Sequence, residues 1–270
     1  MNFARRLFTD PRAVIGAVLV GAILLIALFG PFFLPHDPNS FVGGSFAGPS
    51  GAFPLGLDVL GRDVLSGLLN GGGIFLTEAI AATAVGVGLG IVVGIVLAVL
   101  PRRLAELLLS LNDAIIVLPQ IVVALLVLTR LGATPVTLVA VIAFVHIPQT
   151  ARVVRVAAQR VATESYFEAA RGLGARWGWL FWREILPNIT GVVVLELSIR
   201  LAISAVVLAS LSYLGFGSSH DDWGSMIHQN QGGLTIQPWA VMAPVLAIGV
   251  FLVGANLFRD GLSRALANGQ

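Results

Sequence analysis

Apolar residues in this 270-residue chain form long runs that are separated by short polar stretches. A helix needs about 20 apolar residues to cross the roughly 30 Å hydrocarbon layer of a membrane. Six runs have this length, near residues 13–34, 74–100, 104–129, 134–156, 188–215 and 239–260. The pattern predicts an all-α, polytopic membrane protein with six transmembrane helices, because the continuous runs lack the alternation that is typical of barrel strands.

The composition supports this class and excludes several kinds of chemistry. Hydrophobic residues make up 57% of the chain and charged residues 11%, whereas soluble domains carry roughly 25% charged residues. The chain has no cysteine, and all sixteen basic residues are arginine. It therefore has no P-loop lysine, no disulfide frame and no thiolate metal site. We expect no enzyme activity and no cofactor in this chain. We also expect no nucleic-acid partner, because the arginines are scattered along the membrane flanks.

The placement of arginine predicts the orientation in the membrane. With the N-terminus inside, thirteen arginines lie at cytoplasmic ends, and two, Arg62 and Arg130, lie outside. Both termini are therefore predicted to be cytoplasmic. The same orientation places the main polar segments: 160–187 inside, and 35–72 and 216–238 outside.

Two charged residues lie within the fifth run. Glu196 and Arg200 are four residues apart, hence on one face of a helix, and they lie roughly 14 to 20 Å beyond Pro187 at about 1.5 Å per residue. Each charge alone would cost about 3 kcal/mol near the bilayer centre. We therefore expect either that they line a passage for a charged solute or that they form an internal salt bridge.

The second run carries a small residue at every fourth position. A stripe of this kind lets another helix backbone approach closely, which is how helices associate in lipid. We expect a packing seam, either within the subunit or against a partner subunit. The stripe consists of Ala82, Gly86, Gly90, Gly94 and Ala98.

A charged, tryptophan-rich stretch lies between the fourth and fifth runs. Its pattern predicts a short helix, a glycine elbow at Gly172 and Gly174, and a second helix from Ala175 to Ile185. Pro187 is expected to force a new direction at the entry to the fifth run. Large apolar side chains are expected on or near the bilayer face: Trp177, Trp179, Phe181 and Trp182.

Six positions of this stretch resemble the "EAA" loop of ABC-importer permeases: Glu168, Ala169, Ala170, Gly174, Leu186 and Pro187. The resemblance implies a type I ABC importer permease fold in which this loop docks on two ATPase subunits or domains. ATP and Mg would be bound by those partners. Glu184 departs from the family pattern, since relatives usually carry His or an aliphatic residue there, and we place it at the same ATPase contact.

A second stretch indicates which group of ABC-importer permeases the chain resembles. Residues 53–69, with the sequence FPLGLDVLGRDVLSGLL, resemble the signature of dipeptide, oligopeptide and nickel permeases. Residues 211–217, LSYLGFG, followed by Trp223 and Gly224, resemble a later motif of that family. The resemblance implies the C-type subunit of a dipeptide importer in a bacterial inner membrane, with a second homologous permease subunit and an extracytoplasmic substrate-binding protein as partners.

This resemblance implies that the chain forms half of the translocation pathway for short peptides. Nickel or another small solute is the alternative cargo. An ion-coupled secondary carrier, with Glu196 and Arg200 as relay groups, is the alternative from another class. We divide the chain into residues 1–72, with the tail, first helix and external segment, and 73–270, the core permease domain.

The external segment is expected to be folded rather than a flexible loop. Gly56 and Gly61 permit tight turns, and Arg62 and Asp63 can pair or cap backbone groups. The segment forms either a contact surface for the binding protein or a structural plug over the helix ends. The predicted contact residues are Asp58, Arg62, Asp63 and Trp223.

Potential metal ligands are also present in the second external segment, but their irregular spacing predicts no metal site: His220, Asp221, Asp222 and His228.

Overall fold

The computed structural model describes residues 9–219 and 221–267. These residues are largely helical, and within them the extended pairing is a single bridge between Leu57 and Asp63. The principal helices are α1 (Pro11–Phe29), α2 (Val64–Val99), α3 (Arg102–Val117), α4 (Gln120–Leu131), α5 (Pro135–Ala162), α6 (Ser165–Gly172), α7 (Thr190–Leu211), α8 (Trp223–Asn230) and α9 (Trp239–Ala267). The all-α prediction is confirmed.

Five helices are long and apolar enough to cross a membrane, and the sixth predicted run is a bent pair. Helices α3 and α4 meet at 83°. Leu118 and Pro119 are both extended there, with ψ angles of 129° and 119°. Pro119 lacks a backbone N–H and disfavours helical geometry in the residue before it, so the run 104–129 is divided. Six spans result when the pair is counted as one.

Helix α2 begins at Val64 rather than near residue 74, because Asp63 caps it. The Asp63 carboxylate accepts hydrogen bonds from the backbone N–H groups of Leu65 (3.3 Å) and Ser66 (3.1 Å). Such caps satisfy donors that a helix start leaves free. One continuous helix therefore crosses the junction at residues 72 and 73 that separates the two predicted regions.

The small-residue stripe of α2 faces α5 of the same chain. A Cβ added at Gly86 would lie 2.8 Å from the Ala143 carbonyl oxygen, and one at Gly90 would lie 2.6 Å from Thr150 Cβ. The two backbones approach so closely that these positions have no room for a side chain. Of the two alternatives for this seam, the structure shows packing within the subunit.

Helix α1 packs on α9 in a similar way. A Cβ at Gly16 would lie 2.3 Å from the backbone nitrogen of Phe258, and one at Gly261 would lie 2.5 Å from Ala13 Cβ. The bundle core lies between these two layers and includes the fully buried Phe75, Phe251 and Trp223. The bundle thus carries two polar regions: the loop between α5 and α7, and the segments 34–63 and 216–238.

Candidate functional site: coupling segment, buried polar network and external cap

The segment between α5 and α7 is helical on both sides of a glycine bend. Helix α6 ends at Gly172, and Gly174 has a φ of +82°, a conformation that glycine adopts without steric cost. Arg176 is extended, so helical structure resumes at Trp177 rather than at Ala175. It continues as Trp177–Trp179, a π-helical turn at Leu180–Ile185 and a short turn at Leu186–Asn188. The predicted order of a short helix, a glycine bend and a second helix is confirmed, with the second helix beginning two residues later than predicted. Below, residues 160–187 are called the coupling segment.

The predicted change of direction at Pro187 is wrong in its position. Leu186, the residue before it, keeps helical angles (φ −58°, ψ −44°). The wide π turn precedes the proline, and Ile189, just beyond it, departs from helical geometry with φ −106° and ψ 9°. Pro187 occupies the first turn of its short helix, where a missing N–H costs no hydrogen bond.

Apolar side chains fix the coupling segment to the membrane helices. Phe167, Leu180 and Ile185 are at most 2% exposed. They form one buried cluster with Ile189 and with side chains from α2 and α5, namely Ile95, Val154, Ala158 and Val161. A displacement of the segment must therefore displace the ends of α2 and α5 as well, since close-packed interiors transmit strain.

The opposite face of the coupling segment is open. Glu168, Ala169 and Gly174 are exposed, and Leu173 is 91% exposed. The remaining motif positions are less uniform: Ala170, Glu184 and Leu186 are half-buried, and Pro187 is exposed. Three tryptophans expose about half or more of their surface, Trp177, Trp179 and Trp182, while Phe181 is half-buried. The segment thus has one anchored side and one side that is free to bind a partner.

Glu196 and Arg200 pair with each other inside the bundle. The Arg200 Nε donates to Glu196 Oε2 at 3.1 Å, and the two residues are 4% and 8% exposed. Helix α5 adds two contacts: Thr150 Oγ1 donates to Glu196 Oε2 at 3.3 Å, and Arg200 Nη1 donates to Gln149 Oε1. The two charges therefore bridge α7 and α5.

A second polar contact lies one turn further along α7. Ser204 Oγ is 2.8 Å from His146 Nε2 and 2.8 Å from Thr83 Oγ1. Ser204 thereby joins α7 to both α5 and α2. Sequence reasoning missed Thr83, Gln149, Thr150 and Ser204. The signal was present, since Glu196, Arg200 and Ser204 recur every four residues, which places them on one helix face.

This burial bears on the two alternatives for Glu196 and Arg200. A passage between two permease subunits would be lined by side chains that are exposed in one subunit alone. Glu196 and Arg200 are instead buried within this chain. The geometry agrees with an internal salt bridge that joins helices.

Residues 34–63, between α1 and α2, fold into a cap over the bundle. Asp58 Oδ1 accepts from the N–H groups of Leu60 and Arg62 (both 2.8 Å), and its Oδ2 pairs with Arg62 Nε at 2.8 Å. Arg62 also reaches Gln229 Oε1 at 2.9 Å. Gly56 and Gly61 have positive φ angles of 72° and 74°, which confirms the predicted tight turns.

The remaining predicted contact residues are also buried. Asp63 is 2% exposed, and Trp223 is fully buried with its indole N–H donating to the Leu68 carbonyl at 2.9 Å. Asp58 is 5% exposed. Arg62 joins the cap to α8 and Asp63 joins it to α2, which agrees with the structural plug. Asp58, Asp63 and Trp223 offer no free surface to a binding protein in this arrangement.

In the segment 216–238, the described positions that were considered as metal ligands make structural contacts. Asp222 caps α8 by accepting from the N–H groups of Gly224 (2.9 Å) and Ser225 (3.1 Å). Asp221 lies 3.4 Å from Arg62, and the His228 ring contacts the Tyr213 ring. His220 lies outside the described residues. Within the described part, no three His, Asp or Glu side chains are grouped to hold a metal ion.

A bundle of apolar helices long enough to span a membrane, a loop anchored at one end and a folded cap at the other are the architecture of a multi-pass membrane protein. A family model described as the binding-protein-dependent transport system inner membrane component matches residues 86–269, and the chain belongs to this family. A second model, the N-terminal TM domain of oligopeptide transport permease C, matches residues 2–49. The predicted class, a permease of the peptide-importer type in the inner membrane, is confirmed.

Curated relatives agree along nearly the whole chain. The chain is 31% identical to the glutathione transport system permease protein GsiD of Pectobacterium atrosepticum over 269 residues, which cover 98% of this chain and 89% of that protein. Proteins of the same name from Shigella dysenteriae and Escherichia coli are 30% and 29% identical, with the same coverage.

Proposed function

We propose that this chain forms half of the translocation pathway of an ATP-driven importer for short peptides, and that it performs no catalysis itself. In the proposed cycle, two ATPase subunits or domains close on ATP and carry the coupling segment with them. The spans then open outward to accept cargo from an extracytoplasmic binding protein. A second homologous permease supplies the other half.

One observation supports this proposal most strongly: the coupling segment is anchored on one side and exposed on the other. Its buried residues, among them Phe167, Leu180 and Ile185, hold it against α2 and α5. Its exposed motif residues, Glu168 and Gly174, are available to a partner. Because this chain has no lysine, it lacks the P-loop that binds nucleotide phosphates. In an ATP-driven importer, the nucleotide must therefore be bound by another subunit.

Short peptides are the proposed cargo because one of the matched family models and the curated relatives support them. One matched model is named for oligopeptide transport, and the relatives are named for transport of glutathione, which is itself a short peptide. Nickel or another small solute is the competing cargo. An uptake assay with the cognate binding protein, comparing radiolabelled dipeptides, glutathione and nickel, distinguishes these classes.

The coupling proposal is tested by charge reversal in proteoliposomes that contain the complete transporter. We expect Glu168→Arg to abolish ATP-dependent uptake while the purified complex keeps its thermal stability, because Glu168 is exposed. Glu106→Arg is the matched control, an exposed acidic residue outside the coupling segment, and it should keep uptake. Undiminished uptake by Glu168→Arg, or uptake without any ATPase, contradicts the proposal. The second result would favour the ion-coupled carrier.

The arginine distribution supports cytoplasmic termini and a cytoplasmic coupling segment. Because the chain has no cysteine, single cysteines report the orientation without interference. In intact cells a membrane-impermeant thiol reagent should label Phe41→Cys and should not label Leu173→Cys. Both side chains are well exposed, at 73% and 91%. The reverse labelling pattern would invert the proposed topology.

A further inference from the structure

Two clefts adjoin each other where the coupling segment meets α2 and α5. The first has a volume of about 390 Å³ and is lined by apolar side chains, including Val96, Leu100 and Phe181. The second has a volume of about 440 Å³ and adds the polar side chains of Gln159 and Arg171. Val99 and Trp177 line both clefts. The two clefts therefore lie side by side, and together they are called the depression, with an apolar arm and a polar arm.

The polar arm carries positive charge that is not neutralised by the lining. The Arg171 guanidinium lies 5.5 Å from the Trp177 ring centroid, and within the described residues it forms no ion pair. No acidic side chain lines either arm. An anion is thus the complementary ligand, and guanidinium groups bind phosphate oxygens in a favourable geometry.

The depression lies at a membrane boundary. The membrane-spanning length of α2 ends at Val99 and is followed by Leu100, Pro101, Arg102 and Arg103. Tryptophan and arginine are typical of the zone where lipid headgroups meet the hydrocarbon layer. A ligand with a phosphate and a long apolar chain at this depth is a membrane lipid.

We propose that this depression binds one anionic glycerophospholipid, with its phosphate at Arg171 and Gln159 and an acyl chain along the apolar arm beside Trp177. The bound lipid contacts α2, α5 and the coupling segment together. It therefore stabilises the position in which the segment is anchored, and the anionic lipid content of the membrane influences that position. This inference does not depend on the identity of the cargo.

The test measures quenching of Trp177 by lipids with brominated acyl chains. The purified full chain is reconstituted in phosphatidylcholine vesicles that contain brominated phosphatidylglycerol or brominated phosphatidylcholine. The difference from a Trp177→Phe variant isolates the Trp177 signal from the other four tryptophans. We expect brominated phosphatidylglycerol to reach half-maximal quenching at a mole fraction about fivefold lower than brominated phosphatidylcholine does. The attraction of one basic residue to an anionic lipid surface corresponds to a difference of about this size.

Variants of two arginines test whether the preference for phosphatidylglycerol arises from binding in the depression. Arg171→Gln should abolish the preference for phosphatidylglycerol and leave quenching by brominated phosphatidylcholine unchanged, which also shows that the fold is intact. Arg176→Gln is the matched control, an exposed arginine of the same segment that lines neither arm, and it should keep the preference.

Three results would overturn the proposal. Equal quenching of the wild type by both lipids means that Trp177 contacts bulk lipid. An equal loss of preference in Arg176→Gln, or no loss in Arg171→Gln, means that general surface charge attracts the lipid. Relief of the quenching by added inorganic phosphate means that the polar arm binds free phosphate and not a lipid headgroup.

Discussion

Gly174 adopts a backbone conformation that other residues adopt at a cost of about 1–2 kcal/mol. Its φ is +82°, and an added Cβ would meet no atom within 4 Å. We therefore expect Gly174→Ala to weaken the bend of the coupling segment through backbone strain alone. A cost of this size changes the ratio of two conformations by a factor of roughly 5–30. ATP-dependent uptake by the reconstituted transporter should fall by a comparable factor.

Gly172 is the matched control for this prediction. It also has open space around its Cα, and its φ is not positive. Alanine there gains up to about 1 kcal/mol of helix propensity, so Gly172→Ala should keep full uptake. Equal loss of uptake in both variants would show that bulk at this surface, rather than the conformation of Gly174, is what matters.

Asp222 should make the stability of the region around α8 depend on pH. Burial raises the pKa of the Asp222 carboxyl, and hydrogen bonds from Ser225, Ser212 and Gly224 oppose the shift. The folded state thus binds this proton more tightly than the unfolded chain does. The resulting stabilisation is fully present below the unfolded pKa and is lost as pH rises through the folded pKa.

Thermal unfolding in detergent tests this prediction with an isosteric variant. As pH is raised from the ordinary Asp range, the melting temperature of the wild type should fall relative to that of Asp222→Asn, which keeps an acceptor for the α8 cap. Asp222→Ala should be less stable than Asp222→Asn by about 1 kcal/mol at every pH, because neither variant titrates at this position and the alanine variant also loses the cap. Parallel pH profiles for the wild type and Asp222→Asn would contradict a raised pKa.

At the scale of elements, the seam between α2 and α5 depends on the absence of side chains at particular glycines. Gly90 faces Thr150, and a Cβ there would lie 2.6 Å from Thr150 Cβ. Overpacking of this kind costs about 1–3 kcal/mol. We therefore expect Gly90→Ala to lower the melting temperature of the purified protein.

The same helix offers a matched control at Gly88, where an added Cβ meets nothing within 4 Å. Gly88→Ala should be neutral or stabilising by up to about 1 kcal/mol. If the two variants unfold alike, α2 and α5 are not as closely packed as the structure shows.

At the scale of the whole molecule, the Glu196–Arg200 pair joins α7 to α5 in the middle of the bundle. Removing one partner leaves the other charge unpaired at a depth where it costs about 3 kcal/mol. We expect Glu196→Leu alone, or Arg200→Met alone, to lower stability strongly. The double variant should recover most of the loss, because an apolar pair can replace a buried ion pair at little cost.

Uptake by the double variant separates the two roles that were considered for this pair. If the double variant is stable and transports normally, the pair serves helix packing. If it is stable but no longer transports, Glu196 and Arg200 also take part in the passage of cargo in a conformation other than this one.

The class of the protein and most of its element order could be predicted from the sequence, because membrane insertion depends on apolar length along the chain. The six runs, the glycine bend at Gly174 and the turns at Gly56 and Gly61 are local properties of this kind. The division of the third run at Pro119 has a local cause as well, and the prediction missed it by treating that run as uninterrupted.

The other features depend on contacts between residues that are far apart in the chain. Burial of Asp58 and Trp223, the contact of Glu196 with Thr150 and the seam between Gly90 and α5 each depend on which helices become neighbours. The sequence by itself determined a six-run membrane permease with a coupling loop. The tertiary structure alone decided which polar side chains are buried and which are exposed, because exposure is a property of packing and not of the order of residues.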